Sequence, residues 1–181
     1  MELNPVGWVY ARTKLSPASK EDVAARIAEI GARAGRYRRA ADALPSFFKA
    51  CFARRTREFL LTARAELEWR RSRVDRTLMA LLLVHLHGKR SDSLSNQMRQ
   101  TKSMSPDYAI AWWRERGLQP PRLDPVEFLT KKLTWRYAKG VPEIRQESRV
   151  FLANSEEFLP QLYRRVRDGE VARASLLFTS P

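Results

Sequence analysis

Three side chains in the sequence have the chemistry of soft metal ligands or nucleophiles: Cys51, His85 and His87. They lack the Cys-x-x-Cys or His-x-x-x-His spacing that holds zinc, so we expect no metal site. His85 lies in an apolar helical segment and is predicted to be a core histidine. The sequence contains no Gly-x-Ser-x-Gly, no phosphate-binding glycine loop and no Gly-x-Gly-x-x-Gly. A complete nucleotide or cofactor site therefore cannot be identified from these residues alone.

Basic residues form the most concentrated chemical feature of the chain. A first cluster occupies a stretch in which only Asp42 is acidic. Its members are Arg33, Arg36, Arg38, Arg39, Lys49, Arg54, Arg55 and Arg57. A second cluster combines cations with amides that can hydrogen-bond to base edges. Its members are Lys89, Arg90, Asn96, Gln97, Arg99, Gln100 and Lys102. Such clusters favour contacts with nucleic-acid phosphates over the ordinary alternative, a solvated helical surface.

The overall composition supports a polyanionic partner. The 181 residues include 34 Lys+Arg and 20 Asp+Glu, which gives a formal net charge of +14. A chain of this length most often forms one domain. No apolar run approaches the ~20 residues that cross a bilayer, which excludes a transmembrane class. The single cysteine cannot form an internal disulfide, so we expect a reducing, cytoplasmic location.

Capped segments of helical periodicity dominate the middle of the chain. Ser19 precedes an acidic residue by three positions, and cap residues precede prolines at 105–106 and 124–125. These signals predict helices over 19–34, 106–116 and 125–138. Pro45 opens an aromatic segment that continues at helical spacing to Leu67. Ser72 caps the most apolar helix, which is expected to lie at the centre of the body.

Other segments are predicted to be irregular or β-like. Residues 89–105 are polar and predict a loop that need not pack against the rest of the chain. Alternation over 149–153 predicts a short strand, 155–166 is helical, and 174–179 is β-like. This strand-helix-strand order is typical of α/β proteins.

The aromatic and acidic residues of the helical segments are expected to have structural roles. The aromatic residues expected to lie mostly in the core are Trp112, Trp113, Trp135 and Tyr137. Glu66, Glu68 and Asp75 lie among arginines and predict ion pairs rather than general acids or bases.

The two ends of the sequence resemble an enzyme family. Glu-Leu-Asn-Pro at 2–5, followed by a helical segment, resembles the end of the second strand in class I S-adenosylmethionine-dependent methyltransferases. In the amino-type DNA methyltransferases this segment reads Gly-(Val/Ile)-(Asp/Glu)-(Ile/Leu)-Asn-Pro. Residues 148–159 resemble the strand that ends in Gly-Asp-Ser-Arg, and Ser-Leu-Leu-Phe-Thr-Ser-Pro at 175–181 resembles the strand that carries Thr-Ser-Pro-Pro-Tyr. Residues 94–106 and 135–140 are similar to a helical insertion of some of these enzymes.

The resemblance implies roles for four residues. Glu2 would bind the ribose hydroxyls of S-adenosylmethionine, and Asn154, which replaces the usual Asp, would lie near its adenine. Ser180 and Pro181 would belong to the catalytic motif, where Ser180 accepts a hydrogen bond from the exocyclic amine of an extruded base. We expect these two residues to lie close to Glu2, at one edge of a parallel sheet.

The same resemblance implies that parts of the enzyme lie outside this segment. The family's Phe-x-Gly-x-Gly cofactor loop is expected before Met1, and the Pro-Tyr of the catalytic motif after Pro181. The chain is therefore expected to be an interior segment that transfers no methyl group by itself.

The sequence thus predicts a mainly α fold, in which a multi-helix body is flanked by short β-strand pieces of a class I, Rossmann-like methyltransferase core. Residues 1–17 would form the end of the cofactor-binding strand and the following helix, and 18–140 a helical DNA-recognition insertion. Residues 141–181 would be a strand-helix-strand unit that returns to the catalytic core.

The predicted function is the DNA-recognition segment of a restriction-modification type DNA methyltransferase that acts on the exocyclic amine of cytosine or adenine. Its expected partners are DNA and the remainder of the methyltransferase core. The main alternative is an autonomous helical nucleic-acid-binding accessory protein without catalysis. A helical subunit of a ribonucleoprotein is a weaker alternative.

Overall fold

A computed structural model describes residues 1–88, 92–98, 104–141 and 148–172. Within these ranges the chain forms α-helices, one 3-10 helix (Ala34–Tyr37) and no strand. The α-helices are α1 (Pro5–Leu15), α2 (Lys20–Arg33), α3 (Arg38–Ala43), α4 (Ser46–Cys51), α5 (Arg54–Glu66), α6 (Arg73–Leu86), α7 (Pro106–Glu115), α8 (Pro125–Tyr137) and α9 (Ser155–Arg167). The predicted mainly α fold is confirmed. None of these helices combines the length and the apolar composition that crossing a membrane requires.

Polar caps begin several of the longer helices where the sequence places them. The Ser19 and Ser72 hydroxyls each accept a hydrogen bond of 3.1 Å from the backbone N–H three residues further on. Asp124 Oδ1 accepts two such bonds from the first turn of α8, at 2.8 and 3.2 Å. Each cap satisfies a backbone donor that a helix start would otherwise leave unpaired. The predicted starts of α2, α6 and α8 are confirmed.

The core lies where α2 meets α5, α6 and α8. Val23, Ile27 and Ile30 repeat at helical spacing along α2 and are fully buried. They pack in one apolar cluster with residues that include Phe59 of α5 and Leu78 of α6. The apolar helix α6 also contacts α1 and α8, so it shares the central position with α2.

A glycine allows α8 to approach α2 closely. A Cβ atom added at Gly31 would lie 2.3 Å from Cγ2 of Val126, which is far inside van der Waals contact. Gly31 lies within α2 and does not end it, because the helix continues to Arg33. The close contact between α2 and α8 therefore depends on glycine, which has no side chain, at position 31.

The structure corrects the sequence prediction in three helical or loop segments. The aromatic segment after Pro45 forms two helices, because extended backbone at Phe52 (φ −127°, ψ 138°) separates α4 from α5. Residues 92–98, predicted to need no packing, include Leu94 and Asn96, which are fully buried. Trp135, expected in the core, is 68% exposed, whereas Trp113 is 1% exposed.

The predicted strand at 149–153 is reduced to a single β-bridge. Leu152 pairs with Glu2 in parallel orientation, outside any named strand. No further parallel neighbour extends this pairing within the described ranges, and one bridge is shorter than a strand. The β-like segment predicted at 174–179 lies outside the described residues.

Candidate functional site

A basic cleft lies between the end of α4, the start of α5 and the connection from α7 to α8. The cleft encloses about 530 Å³, and the one carboxylate among its described lining residues belongs to Asp124. Its cationic lining residues are Lys49, Arg54, Arg55, Arg57 and Arg122. Four of them belong to the first basic cluster of the sequence, and Arg122 was not predicted. The cleft, defined by these six side chains, is a concave surface of strongly positive charge.

Ion pairs neutralise the cleft only partly. Arg55 Nη2 lies 2.8 Å from Asp124 Oδ2, and the Arg55 side chain remains 74% exposed. Arg54 pairs with Asp42 at the rim and with Glu58. Lys49 and Arg122 are exposed and make no ion pair in the part of the chain that the structure describes. Exposed ion pairs contribute little free energy, so these cations remain available to a stronger anion.

Arg57, predicted as a nucleic-acid contact, is buried in the wall of the cleft and only 9% exposed. Its Nε donates to the carbonyl oxygen of Ala41 at 3.2 Å, and its Nη1 to that of Phe52 at 2.6 Å. Burial lowers the pKa of this guanidinium, against the attraction of nearby carboxylates. The main role of the Arg57 side chain is therefore to stabilise the connection between α4 and α5. It is not an exposed phosphate contact.

The other members of the first cluster lie outside the cleft. Arg33 bridges Glu29 and Glu66, with nitrogen–oxygen distances of 2.6 and 2.8 Å. This contact confirms the ion pair predicted for Glu66. Arg36, Arg38 and Arg39 are exposed on the 3-10 helix and the start of α3. The 3-10 helix and α3 both contact α5, the helix that begins at the cleft.

The second cluster is described only in part. Lys89, Arg90, Arg99, Gln100 and Lys102 lie outside the described residues. Asn96 is fully buried, and its Nδ2 donates to the carbonyl oxygens of Ala50 and Leu118, both at 3.2 Å. Asn96 is thus engaged with the backbone and does not present its amide at the surface. The carbonyl oxygen of Gln97 accepts a bond from the indole of Trp113, while the Gln97 side chain is half-buried.

The residues predicted to bind a cofactor lie at or next to the single β-bridge found within the described ranges. The Glu2 N–H donates to the carbonyl oxygen of Phe151 at 2.9 Å, and the Ala153 N–H donates to that of Glu2 at 3.2 Å. Two residues after each bridge partner, an asparagine caps a helix: Asn4 begins α1 and Asn154 begins α9. Two extended segments therefore run in the same direction, and each turns into a helix just beyond the bridge.

The Glu2 carboxylate lies over the first turn of α1. Its Oε1 accepts a hydrogen bond of 3.0 Å from the Asn4 N–H. A Cβ atom added at Gly7 would lie 2.5 Å from Glu2 Oε2, so the glycine leaves room for the carboxylate. The positive end of the helix dipole favours a negative charge at this place. Ser180 and Pro181, and with them the predicted closeness to Glu2, lie outside the described residues.

Cys51 and His85 are core residues. Burial raises the pKa of the Cys51 thiol to about 12, which keeps it protonated and unreactive. His85 is buried with its ring edge-on to Phe128 at 5.8 Å between centroids, and burial lowers its pKa. Its core position agrees with the sequence prediction, although its Nε2 has no hydrogen-bond partner within the described ranges. No group of three potential metal ligands occurs among the residues described.

Comparison with family models, with curated proteins and with solved structures finds no match to this chain.

Proposed function

We propose that this chain is part of an S-adenosylmethionine-dependent DNA methyltransferase that acts on the exocyclic amine of cytosine or adenine. In this proposal the helical body binds DNA, and Glu2 and Asn154 contact the cofactor. The observation that carries the proposal is the parallel pairing of Glu2 with Leu152.

This pairing joins the two segments whose sequences resemble cofactor-binding strands of the methyltransferases. They are separated by most of the chain, they meet in parallel, and a side-chain helix cap follows each of them. In open α/β sheets, ligands bind beyond the carboxyl ends of parallel strands, where the following helices begin. In the proposed enzyme, Glu2 and Asn154, which lie at or just beyond the bridge, would stand at such an edge.

The side chains beside the bridge would suit the ribose and adenine of the cofactor. Glu2 uses Oε1 for the Asn4 N–H, and its Oε2 remains an acceptor for a ribose hydroxyl. Asn154 uses its side-chain oxygen to cap α9, by a bond of 3.1 Å from the Glu156 N–H, and its Nδ2 remains a donor for a ring nitrogen. When bound, S-adenosylmethionine supplies an electrophilic methyl group, and the two side chains orient it.

DNA is the substrate that the charge of the helical body favours. The basic cleft and the exposed arginines near α3 place cations around α5. Lysines and arginines that neutralise DNA phosphates release condensed counterions, which makes binding weaken steeply as salt rises. The helical body would therefore position the DNA while the bridge region positions the cofactor.

The experiment measures methyl transfer from labelled S-adenosylmethionine to duplex DNA by the natural gene product that contains these residues. We expect Glu2→Ala to raise the KM for the cofactor by about tenfold or more, since a charge-assisted hydrogen bond contributes about 1.5–3 kcal/mol. The control is Glu21→Ala, which removes an exposed carboxylate from the first turn of α2. Equal KM values for the two variants would contradict the role of Glu2.

The second candidate function is an autonomous helical nucleic-acid-binding protein without catalysis. It is favoured by the position of the basic cleft, whose lining comes from the helical body and not from the β-bridge. Salt-dependent DNA binding by a natural gene product that transfers no methyl group would support this second function.

A further inference from the structure

We infer that the basic cleft holds a phosphate group of the DNA backbone. This inference rests on the proposed function and specifies where the helical body binds the DNA backbone. The cleft is defined, as above, by Lys49, Arg54, Arg55, Arg57, Arg122 and Asp124.

The first argument is a buried cation that no carboxylate contacts directly, although Asp42 and Glu58 attract it from nearby. Arg57 makes no ion pair in the described ranges, although it is only 9% exposed. Its Nε and Nη1 are bound to backbone carbonyls, and its Nη2 has no hydrogen bond there. A buried charge is costly unless an opposite charge accompanies it. An anion in the cleft would add the direct partner that these carboxylates do not provide, and a planar guanidinium suits a phosphate oxygen.

The second argument is the unusual start of α5. Within the described ranges, every other α-helix of 10 or more residues is capped by a side chain. The N-cap of α5, Ala53, has no side-chain acceptor, and the first turn contains no acidic residue. The first turn instead carries three arginines, whose charge is opposite to the one that the helix dipole favours. A bound phosphate would accept from backbone N–H groups of the first turn and offset the unfavourable charge of its arginines.

The third argument is that an arginine of the cleft can leave its present ion pair while the neighbouring helix cap stays intact. Arg55 is held by Asp124, whose other oxygen caps α8. If Arg55 turns to a phosphate, Asp124 therefore keeps its place at the start of α8. Arg122, which also lines the cleft, makes no ion pair within the part of the chain described. Two exposed arginines of the cleft lining are thus available to a bound anion.

The size of the cleft agrees with a nucleotide unit. About 530 Å³ is more than a single phosphate group fills, and leaves room for the adjoining sugar. A polynucleotide also brings several phosphates to the neighbouring cations, so its binding energy adds along the strand. The DNA backbone therefore suits the cleft better than an isolated anion does.

The test measures the binding of a fluorescently labelled DNA duplex to the chain. Binding is monitored by fluorescence anisotropy at KCl concentrations between about 50 and 200 mM. The cleft variant is Arg55→Ala/Arg122→Ala. Two lost phosphate contacts lower the salt slope by about 1.8 units, so over this range the wild type should lose about 12-fold more affinity than the variant does. The matched control, Arg64→Ala/Arg73→Ala, removes two exposed charges outside the cleft, one of them at the far end of α5. We expect the control to keep the wild-type slope.

A third variant distinguishes phosphate binding from a structural role. Asp124→Asn removes the carboxylate from the cleft and retains a good cap for α8. We expect Asp124→Asn to tighten DNA binding, whereas damage to the fold would weaken it. Weaker binding by this variant, or equal slopes for the cleft and control variants, would overturn the phosphate site and leave the proposed function standing. A wild-type chain that does not bind DNA would instead overturn the proposed function itself, and the site with it.

Discussion

Replacing Asn96 with alanine separates a structural amide from one that contacts nucleic acid. The Asn96 side chain is fully buried and makes three hydrogen bonds with the backbone. Its Nδ2 donates to Ala50 and Leu118, and its Oδ1 accepts from the Gln97 N–H at 2.9 Å. These bonds tie residues 92–98 to α4 and to the chain just beyond α7.

The loss of these bonds should be large for a single substitution. Each hydrogen bond contributes about 1 kcal/mol, and a buried partner left unpaired costs up to about 3 kcal/mol. We therefore expect Asn96→Ala to lower the free energy of unfolding by about 3 kcal/mol or more. For a chain of this size that corresponds to a fall in Tm of roughly 6–12 °C.

The assay has two parts. Thermal denaturation is monitored by circular dichroism, and DNA binding is measured at a temperature at which the wild type and the variant are both folded. Gln161→Ala serves as the control, because Gln161 is an exposed amide on α9. We expect Asn96→Ala to lose stability and to keep its DNA affinity. An unchanged Tm together with weakened DNA binding would refute the reasoning and would support Asn96 as a nucleic-acid contact.

Three further predictions concern the core. Gly31→Ala should lower the free energy of unfolding by about 1–3 kcal/mol in urea, because the new methyl group meets Val126; Gly35→Ala, which meets no atom within 4 Å, should not, and equal effects would contradict the close helix contact. The Cys51 thiol, whose pKa is raised to about 12, should react with a disulfide reagent at pH 8 only as fast as the chain unfolds, and fast labelling of the folded chain would count against its burial. Because burial lowers the pKa of His85, the unfolded chain binds a proton that the folded chain does not, so stability should fall as pH drops below about 6.5. His85→Gln should reduce that fall in urea denaturation, and an unchanged pH profile would exclude the histidine as its source.

Local chemistry made the helix starts predictable. Ser19 and Asp124 signal their helices through side-chain acceptors that act within three residues, so the sequence contains the whole interaction. The break between α4 and α5 has no such signal, since the residues at the break, Phe52 and Ala53, are neither proline nor glycine. The extended backbone there is accompanied by the buried Arg57 guanidinium, which donates to the carbonyl of Phe52.

Long-range partners explain why the candidate site was only partly predictable. Arg57 and Asn96 have the residue types of nucleic-acid contacts, and their burial depends on carbonyl oxygens that the sequence pattern does not mark. Arg122 stands apart from both basic clusters in the sequence and reaches the cleft through the fold. The pairing of Glu2 with Leu152 spans most of the chain, and no local pattern in the sequence marks these two residues as partners.

The most direct test of the methyltransferase proposal is a base-resolved analysis of DNA incubated with S-adenosylmethionine and the natural gene product that contains this chain. Nucleosides from the digested DNA are separated and identified by mass spectrometry. The proposal predicts that N4-methylcytosine or N6-methyladenine accumulates with time, and that Glu2→Ala slows its formation at low cofactor concentration. DNA that gains neither base, or that is methylated at a ring carbon, would contradict the proposal.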